Sequence, residues 1–354
     1  MKGPTSMKRL ACAAAGVMLV LALLPGCAGT TPAAATTAAA SGAASPSGES
    51  TSAETTIRIA SLKGPTTMGL VGLMADAEAG DAAQDYQVTM YGTPDEVVPL
   101  VLQGEADVAL LPANLAAVLY NRTLADDGAQ IQVAAINTLG VLEILESGDT
   151  VHSIADLAGR TIYASGKGAS PEYVLNYLLT SNGLDPATDV TIEYRSEHTE
   201  VAALLASTPG AIAMLPQPFA TVVKAQNPAV RTALGLTDEW AKVTTDSQLV
   251  TGVVVVRTAF AEEHPQALAD FLTDYQASTE FTNEHPAEAA VLIADAGIVP
   301  AAPIAEAAIP GSHITYIDGT ELRTVFSGYL QVLFDADPAS VGGSMPGDDF
   351  YYSR

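Results

Sequence analysis

The sequence predicts an α/β protein built from two similar halves. A strand, a polar or glycine-rich turn and a helix follow one another repeatedly up to residue 122, and the same order restarts after a break near residue 150. About 300 residues follow a low-complexity N-terminal region, which is enough for two domains with their own cores. Repeated strand–helix units predict mainly parallel sheets covered by helices on both faces.

The N-terminus has the features of an export signal. A basic segment at residues 2–9 precedes an apolar run over residues 10–24, and the sequence Leu-Pro-Gly-Cys then ends at Cys27. This order is typical of a secretory signal peptide, and the ending resembles a bacterial lipobox. We therefore expect a signal peptide at 1–26 and lipidation of Cys27, the alternative being an ordinary signal peptide followed by a chance cysteine.

Residues 27–55 consist almost entirely of Ala, Thr, Ser, Gly and Pro, with no aromatic side chain. Such a segment cannot bury enough apolar surface to offset the entropy lost on ordering, so we expect a disordered tether. The other cysteine, Cys12, lies inside the predicted signal peptide. Cysteine catalysis and cysteine-ligated zinc are therefore excluded for the mature chain.

The charge balance excludes one class of partner. The chain has 15 basic and 40 acidic side chains, a formal net charge of −25. Nucleic-acid binding needs clustered cations that neutralise phosphates, so we expect no nucleic-acid partner. High acidity is more typical of a soluble, exposed protein.

In the first half, we expect strands at 56–62, 86–92 and 106–112 and one or two more within 131–146. The second of these is followed by Thr93-Pro94-Asp95-Glu96, which predicts a capping box with Thr93 at the N-cap. Asn114 is the predicted N-cap of the helix after the third strand.

In the second half, Ser153 and Asp156 predict a short capped helix, and Ser170 followed by Pro171 predicts the N-cap and first residue of another. Two further strand–helix units follow. Beyond residue 250 we expect one strand, then helices at about 261–278, 284–297 and 319–335.

The turn after the first strand carries half of a nucleotide-binding signature. Gly64 and Gly69 have the spacing of the glycines in G-x-x-x-x-G-K-S/T, but Leu70 and Val71 replace the residues that bind phosphate and Mg²⁺. Free N–H groups at a helix start still favour an anion or a polar oxygen, and Thr66 and Thr67 add hydroxyls. The alternative is that these threonines only cap the helix.

Two more patterns favour a cleft between the halves. Lys63 and Lys167 each lie in a glycine-rich strand-to-helix turn, one in each half, which favours an anionic or partly anionic ligand. Pro112 and Asn114 follow a buried strand, as Pro216, Gln217 and Pro218 do in the second half. Alternatively, the lysines are ordinary surface residues and the prolines merely end strands.

Catalytic and metal-binding motifs are absent from the sequence. There is no G-x-S-x-G, S-x-x-K or H-E-x-x-H, and the five histidines are scattered. Glu197 beside His198 could perform acid–base chemistry, but a helix start that faces the crevice or water is the alternative. We therefore expect neither an enzyme nor a cofactor or metal.

Taken in order, these segments resemble the solute-binding lipoproteins of ABC importers, in the nitrate/sulfonate/taurine and thiamine-precursor group. The resemblance covers residues 56–352 and rests on IRIASLKGPTTMGL, LQGEADVALLPANLA, DLAGRTIYASGKGASPEYVLNYLL, AMLPQPFATVV and TGVVVVRTAF. It implies a type II periplasmic-binding fold: two α/β lobes, joined by two crossover strands near 143–150 and 247–253, with a ligand cleft between them. Lobe I would comprise 56–147 plus 252–354, and lobe II 148–251.

The resemblance also implies the site and the partners. A small polar, anionic or heterocyclic solute would bind in the cleft and pass to a permease and its ATPase, with the protein a lipid-anchored monomer on the outer face of the cytoplasmic membrane. The sequence has no arginine array for bidentate anion capture, which disfavours nitrate or sulfonate, whereas Tyr91 and Phe219 could stack on a heterocycle. The positions that would line the cleft are Lys63, Thr66, Thr67, Met68, Tyr91, Thr93, Pro112, Asn114, Asn137, Thr138, Lys167, Ser170, Glu197, Gln217, Pro218, Phe219 and Thr251.

Two alternatives remain. The same fold occurs in pyrimidine-precursor and menaquinone-pathway synthases, which would normally be intracellular and would need a reactive His or Lys. A lipoprotein that presents its ligand to a membrane receptor would have the same sequence features as an importer component.

Overall fold

The computed structural model describes residues 55–124 and 128–353. The predicted signal peptide, Cys27 and the tether up to residue 54 lie outside the described residues. The strands of the described part are β1 (Thr56–Leu62), β2 (Asp85–Tyr91), β3 (Val108–Pro112), β4 (Ile131–Leu139), β5 (Leu142–Glu146), β6 (Thr161–Ser165), β7 (Thr191–Arg195), β8 (Ile212–Pro216), β9 (Arg231–Gly235), β10 (Val250–Arg257) and β11 (Ile314–Ile317).

The α-helices of the described part are α1 (Pro65–Met68), α2 (Val71–Ala79), α3 (Pro94–Leu102), α4 (Ala113–Thr123), α5 (Ser170–Ser181), α6 (His198–Ser207), α7 (Phe219–Gln226), α8 (Leu236–Val243), α9 (Thr258–Glu263), α10 (Pro265–Glu284), α11 (Pro286–Asp295), α12 (Ala302–Ala308) and α13 (Gly319–Ala336). Short 3₁₀ turns occur at Ile154–Leu157, Pro310–Ser312, Pro338–Val341 and Asp348–Phe350. No helix among these residues combines the length and the apolar character needed to cross a membrane.

The strands form two separate sheets, as the two-lobed prediction requires. The first has the order β11-β4-β10-β3-β1-β2 and the second the order β7-β6-β8-β5-β9. The chain leaves the first sheet after Leu139, enters the second at Leu142, and returns at Val250. The first change of sheet thus comes slightly before the predicted crossover near 143–150, and the lobe limits themselves stay a prediction.

Both sheets are mixed, which corrects the prediction of mainly parallel pairing. β1 pairs in parallel with β2 and β3, but β10 is antiparallel to β3 and β4, and β5 is antiparallel to β8 and β9. The physical reason is the path of the chain. A strand that arrives from the other sheet starts at the edge where the parallel strands end, so it runs in the opposite direction.

Two of the four capping predictions are confirmed and two are wrong. Glu96 Oε2 accepts hydrogen bonds from the Thr93 N–H at 2.9 Å and from its hydroxyl at 3.2 Å, so the predicted capping box is confirmed. The Ser153–Asp156 pair is also confirmed, on a 3₁₀ turn. Asn114 and Ser170, however, lie inside the first turns of α4 and α5, because α4 starts two residues earlier and α5 one residue earlier than predicted.

The main hydrophobic core is shared by the two sheets. Its buried side chains include Val97 and Leu111 beside the first sheet and Leu175 and Trp240 beside the second. Helix α13 connects them, since the Tyr329 and Trp240 rings lie 5.6 Å apart. Apolar burial of this kind is the largest favourable contribution to folding, so the sheets are held by one core.

Two buried carboxylates bind three of the arginines. Asp107 accepts hydrogen bonds from Arg58 and Arg257, and Glu146 accepts from Arg231 and from the Thr150 and Val151 backbone. Burial alone would raise these pKa values, but the arginine and N–H partners outweigh it and hold the pKa of both carboxyl groups below the usual range. These arginines therefore serve the folded structure and are not free to bind a ligand.

Candidate functional site

The carboxyl ends of the parallel strands in the two sheets meet around a small cavity. Pro112 ends β3 beside Gly252 near the start of β10, and Pro216 ends β8 beside Leu142 at the start of β5. The cavity has a volume of about 70 Å³ and is lined by Leu62, Lys63, Pro65, Thr66, Pro112, Leu142, Pro171, His198, Pro216 and Thr251. We call this space the inter-sheet cavity. Ligands of α/β proteins bind at such strand ends.

The first wall comes from the turn between β1 and α1. Lys63 is exposed and Thr66 borders the cavity, where the Thr66 hydroxyl donates to the Leu62 carbonyl at 3.0 Å. Gly64 is the N-cap residue, and no side chain caps the helix. The turn therefore presents one threonine and one lysine to the cavity, and the capping alternative does not hold for this helix.

Two predicted residues of the same turn face the protein interior instead. Thr67 is fully buried, and its hydroxyl lies 2.6 Å from the Leu62 carbonyl and 2.9 Å from Ser61 Oγ. Met68 is also fully buried, where its sulfur accepts a hydrogen bond from the Ser312 hydroxyl. Neither residue is part of the cavity lining.

Asn114 and Ser170 join the two halves directly. The Ser170 hydroxyl donates to Asn114 Oδ1 at 3.1 Å and accepts from the Asn114 N–H at 3.2 Å. Asn114 Nδ2 donates to the Ser340 carbonyl at 2.9 Å, and both side chains are buried. The hydrogen-bonding groups that the sequence assigned to a ligand are thus satisfied by each other, beside the cavity that Pro112 and Pro171 line.

The start of β10 supplies the floor of the cavity. Thr251 borders it, and its hydroxyl is buried with no hydrogen-bond partner among the described residues. A Cβ atom at Gly252 would lie 2.5 Å from Asn137 Oδ1 and 2.9 Å from the Thr66 methyl group, so only glycine lets Asn137 approach the strand. The buried Thr138 hydroxyl donates to Asn137 Oδ1 at 3.1 Å.

The segment Gln217-Pro218-Phe219 follows the lining residue Pro216 but is not itself part of the lining. Gln217 Nε2 donates to Glu143 at 2.7 Å and Gln217 Oε1 accepts from the Thr221 hydroxyl at 2.8 Å, so this amide is used within the protein. The Gln217–Pro218 peptide bond is cis. Phe219 is buried and its ring reaches the Gly64 backbone, where an added Cβ would lie 3.5 Å from it.

The remaining predicted residues lie outside the inter-sheet cavity. Thr93 and Lys167 line a separate groove of about 490 Å³ together with Arg122 and Arg195. Tyr91 is half-buried against the core, and exposed Glu197 lies close to Gly92, whose added Cβ would be 3.2 Å from Glu197 Oε1. The structure thus divides the predicted set into residues that line the cavity, residues of the interior and residues outside both.

Six residues of the cavity lining are outside the predicted site, and His198 is the polar one among them. Its Nδ1 lies 2.5 Å from Ser165 Oγ, and its ring lies 5.1 Å from the Phe219 ring. Burial lowers the pKa of His198 to about 4, because the charged imidazolium loses its hydration there. The imidazole is therefore neutral near pH 7. The sequence indicates acid–base chemistry or a helix start that faces the crevice or water for Glu197 and His198, and only the position of β6 reveals Ser165 as the buried neighbour.

The described residues contain no cluster of three His, Cys, Asp or Glu side chains that could hold a metal ion. What the inter-sheet cavity offers is an apolar wall of leucine and proline with a few hydroxyl, imidazole and ammonium groups. This composition is typical of small-molecule sites, in which few polar groups orient a mostly apolar ligand.

Sequence comparison identifies the family. The profile of the NMT1/THI5-like family matches residues 81–289, which is more than half of the chain. The protein belongs to the NMT1/THI5-like family. No curated protein sequence matches this NMT1/THI5-like chain significantly.

Solved structures show the same fold. An ABC transporter protein from Parabacteroides distasonis is 21% identical with a TM-score of 0.69, covering 85% of this chain and 100% of its own. The alkanesulfonate-binding protein SsuA from Xanthomonas axonopodis pv. citri, bound to MOPS, is 15% identical with a TM-score of 0.65 and coverages of 84% and 97%. The nitrate-binding protein NrtA from Synechocystis PCC 6803 is 12% identical, with a TM-score of 0.60 and coverages of 84% and 84%. This NMT1/THI5-like chain therefore has the two-lobed fold of periplasmic binding proteins.

Proposed function

We propose that this protein is the extracytoplasmic solute-binding component of an ABC importer. The observation that carries the proposal is the inter-sheet cavity, where the carboxyl ends of both sets of parallel strands converge on one apolar space. Structural neighbours that are named as ABC-type or periplasmic binding proteins support it. The protein would bind its solute reversibly and perform no chemistry.

The volume of the cavity bears on how a solute enters. It is about 70 Å³, far below the ~300–1,000 Å³ that is usual for drug-sized ligands. A larger solute requires the two sheets to separate by a hinge motion, as in other two-lobed binding proteins. We propose the hinge at the two chain crossings, with lobe I at 56–147 plus 252–354 and lobe II at 148–251.

The N-terminal sequence completes the proposal. A signal peptide at 1–26 would export the chain, lipid on Cys27 would hold it at the outer face of the cytoplasmic membrane, and residues 28–55 would act as the tether. The protein would work there as a monomer with a permease and its ATPase. Reversible capture close to the membrane would supply that permease with solute.

Native mass spectrometry of the full protein, purified from its membrane fraction, tests the proposal. We expect a small molecule to be released on denaturation and to bind again without chemical change. Deleting the gene should then reduce uptake of that compound by cells. Conversion of the compound into a product would contradict the proposal in favour of an enzyme, and unchanged uptake would favour a sensing role.

A further inference from the structure

The inter-sheet cavity has few polar side chains, and only part of their hydrogen-bonding capacity is used. The Thr66 hydroxyl donates to the Leu62 carbonyl. The Thr251 hydroxyl and the Nε2 atom of His198 have no hydrogen-bond partner among the described residues. The remaining lining is apolar apart from Lys63, which is exposed. The chemistry of a bound molecule is therefore set mainly by His198 and Thr251.

The hydrogen bond to Ser165 fixes the protonation of the His198 ring. Ser165 is buried, and His198 Nδ1 is the one hydrogen-bond partner of its hydroxyl within the described part of the chain. A buried hydroxyl proton without an acceptor is costly, so Ser165 donates its proton to Nδ1. Nδ1 is then the acceptor, and in a neutral imidazole the proton resides on Nε2.

His198 Nε2 has no hydrogen bond to any described residue, and the ring borders the cavity. The ring is also held in place, since Phe219 packs against it with centroids 5.1 Å apart. A fixed N–H donor beside a mostly apolar cavity favours a ligand with a hydrogen-bond acceptor at that point.

The surroundings disfavour an anion in the same position. A buried anion needs several charge-assisted donors to replace its hydration. Arg58, Arg257 and Arg231 are engaged by buried carboxylates, and the imidazole of His198 is uncharged near pH 7. Lys63 is the cavity's one formally charged lining residue, and it lies at the exposed side.

We infer that His198 is the residue that selects the solute, and that it takes a small uncharged molecule whose apolar body carries a hydrogen-bond acceptor for His198 Nε2–H. Ser165 is the positioning residue, because it acts through the imidazole. The inference rests on the proposed solute-binding function and narrows the substrate class of the same cavity.

Pyridine and benzene are suitable probes, since they have the same shape and differ in one acceptor nitrogen. Nitrate and methanesulfonate represent the anions. Each probe is titrated into the full protein at pH 7.5, and the His198 ring signals are followed by ¹⁵N–¹H NMR. We expect a signal of the Nε2–H tautomer before any addition, and pyridine affinity at least tenfold higher than benzene affinity.

The substitution His198→Phe keeps a ring against Phe219 and removes the donor, so the preference for pyridine should fall to about onefold. His264→Phe is the matched control, because His264 is exposed and its ring packs on Phe260 in the same way. It should leave the preference unchanged. His198→Phe leaves the buried Ser165 hydroxyl without its acceptor, which could unfold the variant. In that case the double variant Ser165→Ala/His198→Phe, which has no such hydroxyl, takes the place of His198→Phe in the experiment.

Several results would overturn the inference. One is a His198 ring protonated at Nδ1, and another is equal affinity for pyridine and benzene. The others are tighter binding of nitrate or methanesulfonate than of pyridine, and no effect of any probe on the His198 signals. None of these would remove the proposed solute-binding function, which is decided separately by the molecule that copurifies with the protein.

Discussion

At the scale of single residues, the direction of each side chain decides which of the predicted positions border the inter-sheet cavity. Thr66 and Thr67 are neighbours in one turn, yet Thr66 borders the inter-sheet cavity and Thr67 is buried on the strand side. Successive residues of a helix point about 100° apart. The sequence could locate the hydroxyl-rich turn, but it could not show which hydroxyl would face a ligand.

Thr67→Val should therefore affect stability and leave solute binding intact. The change keeps the side-chain volume and removes the hydroxyl that bonds to the Leu62 carbonyl at 2.6 Å. We expect a loss of about 1–2 kcal/mol in the free energy of unfolding, measured by urea denaturation. Thr251→Val serves as the counterpart, since the Thr251 hydroxyl borders the cavity without a hydrogen-bond partner among the described residues and its removal should weaken solute binding. A Thr67→Val protein of normal stability with impaired binding would contradict this assignment.

His198 should make stability depend on pH. Its pKa is about 4 in the folded protein against 6.5 ordinarily, so the unfolded chain takes up the proton first as pH falls. The contribution is fully present above pH 6.5 and is lost as pH falls towards 4. At pH 5 the loss is about 2 kcal/mol relative to pH 7.5.

Urea unfolding at pH 7.5 and pH 5.0 measures this effect. His198→Phe should reduce the difference between the two pH values by about 2 kcal/mol, whereas His264→Phe should leave it nearly as it is. Asp107 and Glu146, whose pKa values are lowered, titrate below this range and cancel in the comparison. An unchanged pH dependence in His198→Phe would show that the imidazole is not buried in the neutral form.

At the scale of elements, local signals gave the strands and helices more reliably than their ends. The first strand and the α3 capping box follow from residues that are adjacent in sequence. Asn114 and Ser170 are predicted as N-caps, but Asn114 is the second residue of α4 and Ser170 the first residue of α5. The reason is tertiary: the Asn114 N–H near the start of α4 is satisfied by the Ser170 hydroxyl from the other half, so no local cap is needed.

The link between β4 and β5 depends on close packing around Gly140. A Cβ atom there would lie 2.3 Å from Thr237 Oγ1 and 2.9 Å from a Leu249 methyl group, and the Gly140 carbonyl accepts hydrogen bonds from Thr237 and His313. Gly140→Ala should cost about 1–3 kcal/mol through overpacking, measured by urea denaturation.

Gly328→Ala is the control for that substitution. Gly328 lies inside α13 and its nearest neighbour is at an ordinary distance, 3.5 Å from the Asp246 carbonyl oxygen to an added Cβ. An alanine there should be neutral or stabilising by up to about 1 kcal/mol, since glycine is unfavourable within helices. Equal stability of Gly140→Ala and Gly328→Ala would show that the link between β4 and β5 accommodates an added methyl group, and would contradict this prediction.

At the scale of the whole molecule, the resemblance stated from the sequence led to the correct family and two-lobed fold, because it used an ordered set of motifs along the chain. The mixed pairing of the sheets was not predicted. It depends on which strands carry the chain from one sheet to the other, and β9 and β11 are too short to give a clear periodic signal.

The shared core predicts cooperative unfolding. Trp240, the single tryptophan of the chain, packs between Tyr177 at 5.0 Å and Tyr329 at 5.6 Å, and Tyr329 lies on α13. Unfolding of the second sheet would therefore expose the core of the first. Tryptophan fluorescence and far-UV circular dichroism should give one coincident urea transition. Two separated transitions would show that the lobes unfold independently.

The central claim is that the inter-sheet cavity holds the solute, and a crystal structure of the protein with its copurified molecule tests it most directly. We predict electron density that touches Thr66 and Thr251 on one side and His198 on the other, with a hydrogen-bond acceptor at His198 Nε2. Density confined to the separate groove around Lys167 and Arg195, or to a single lobe, would contradict the account.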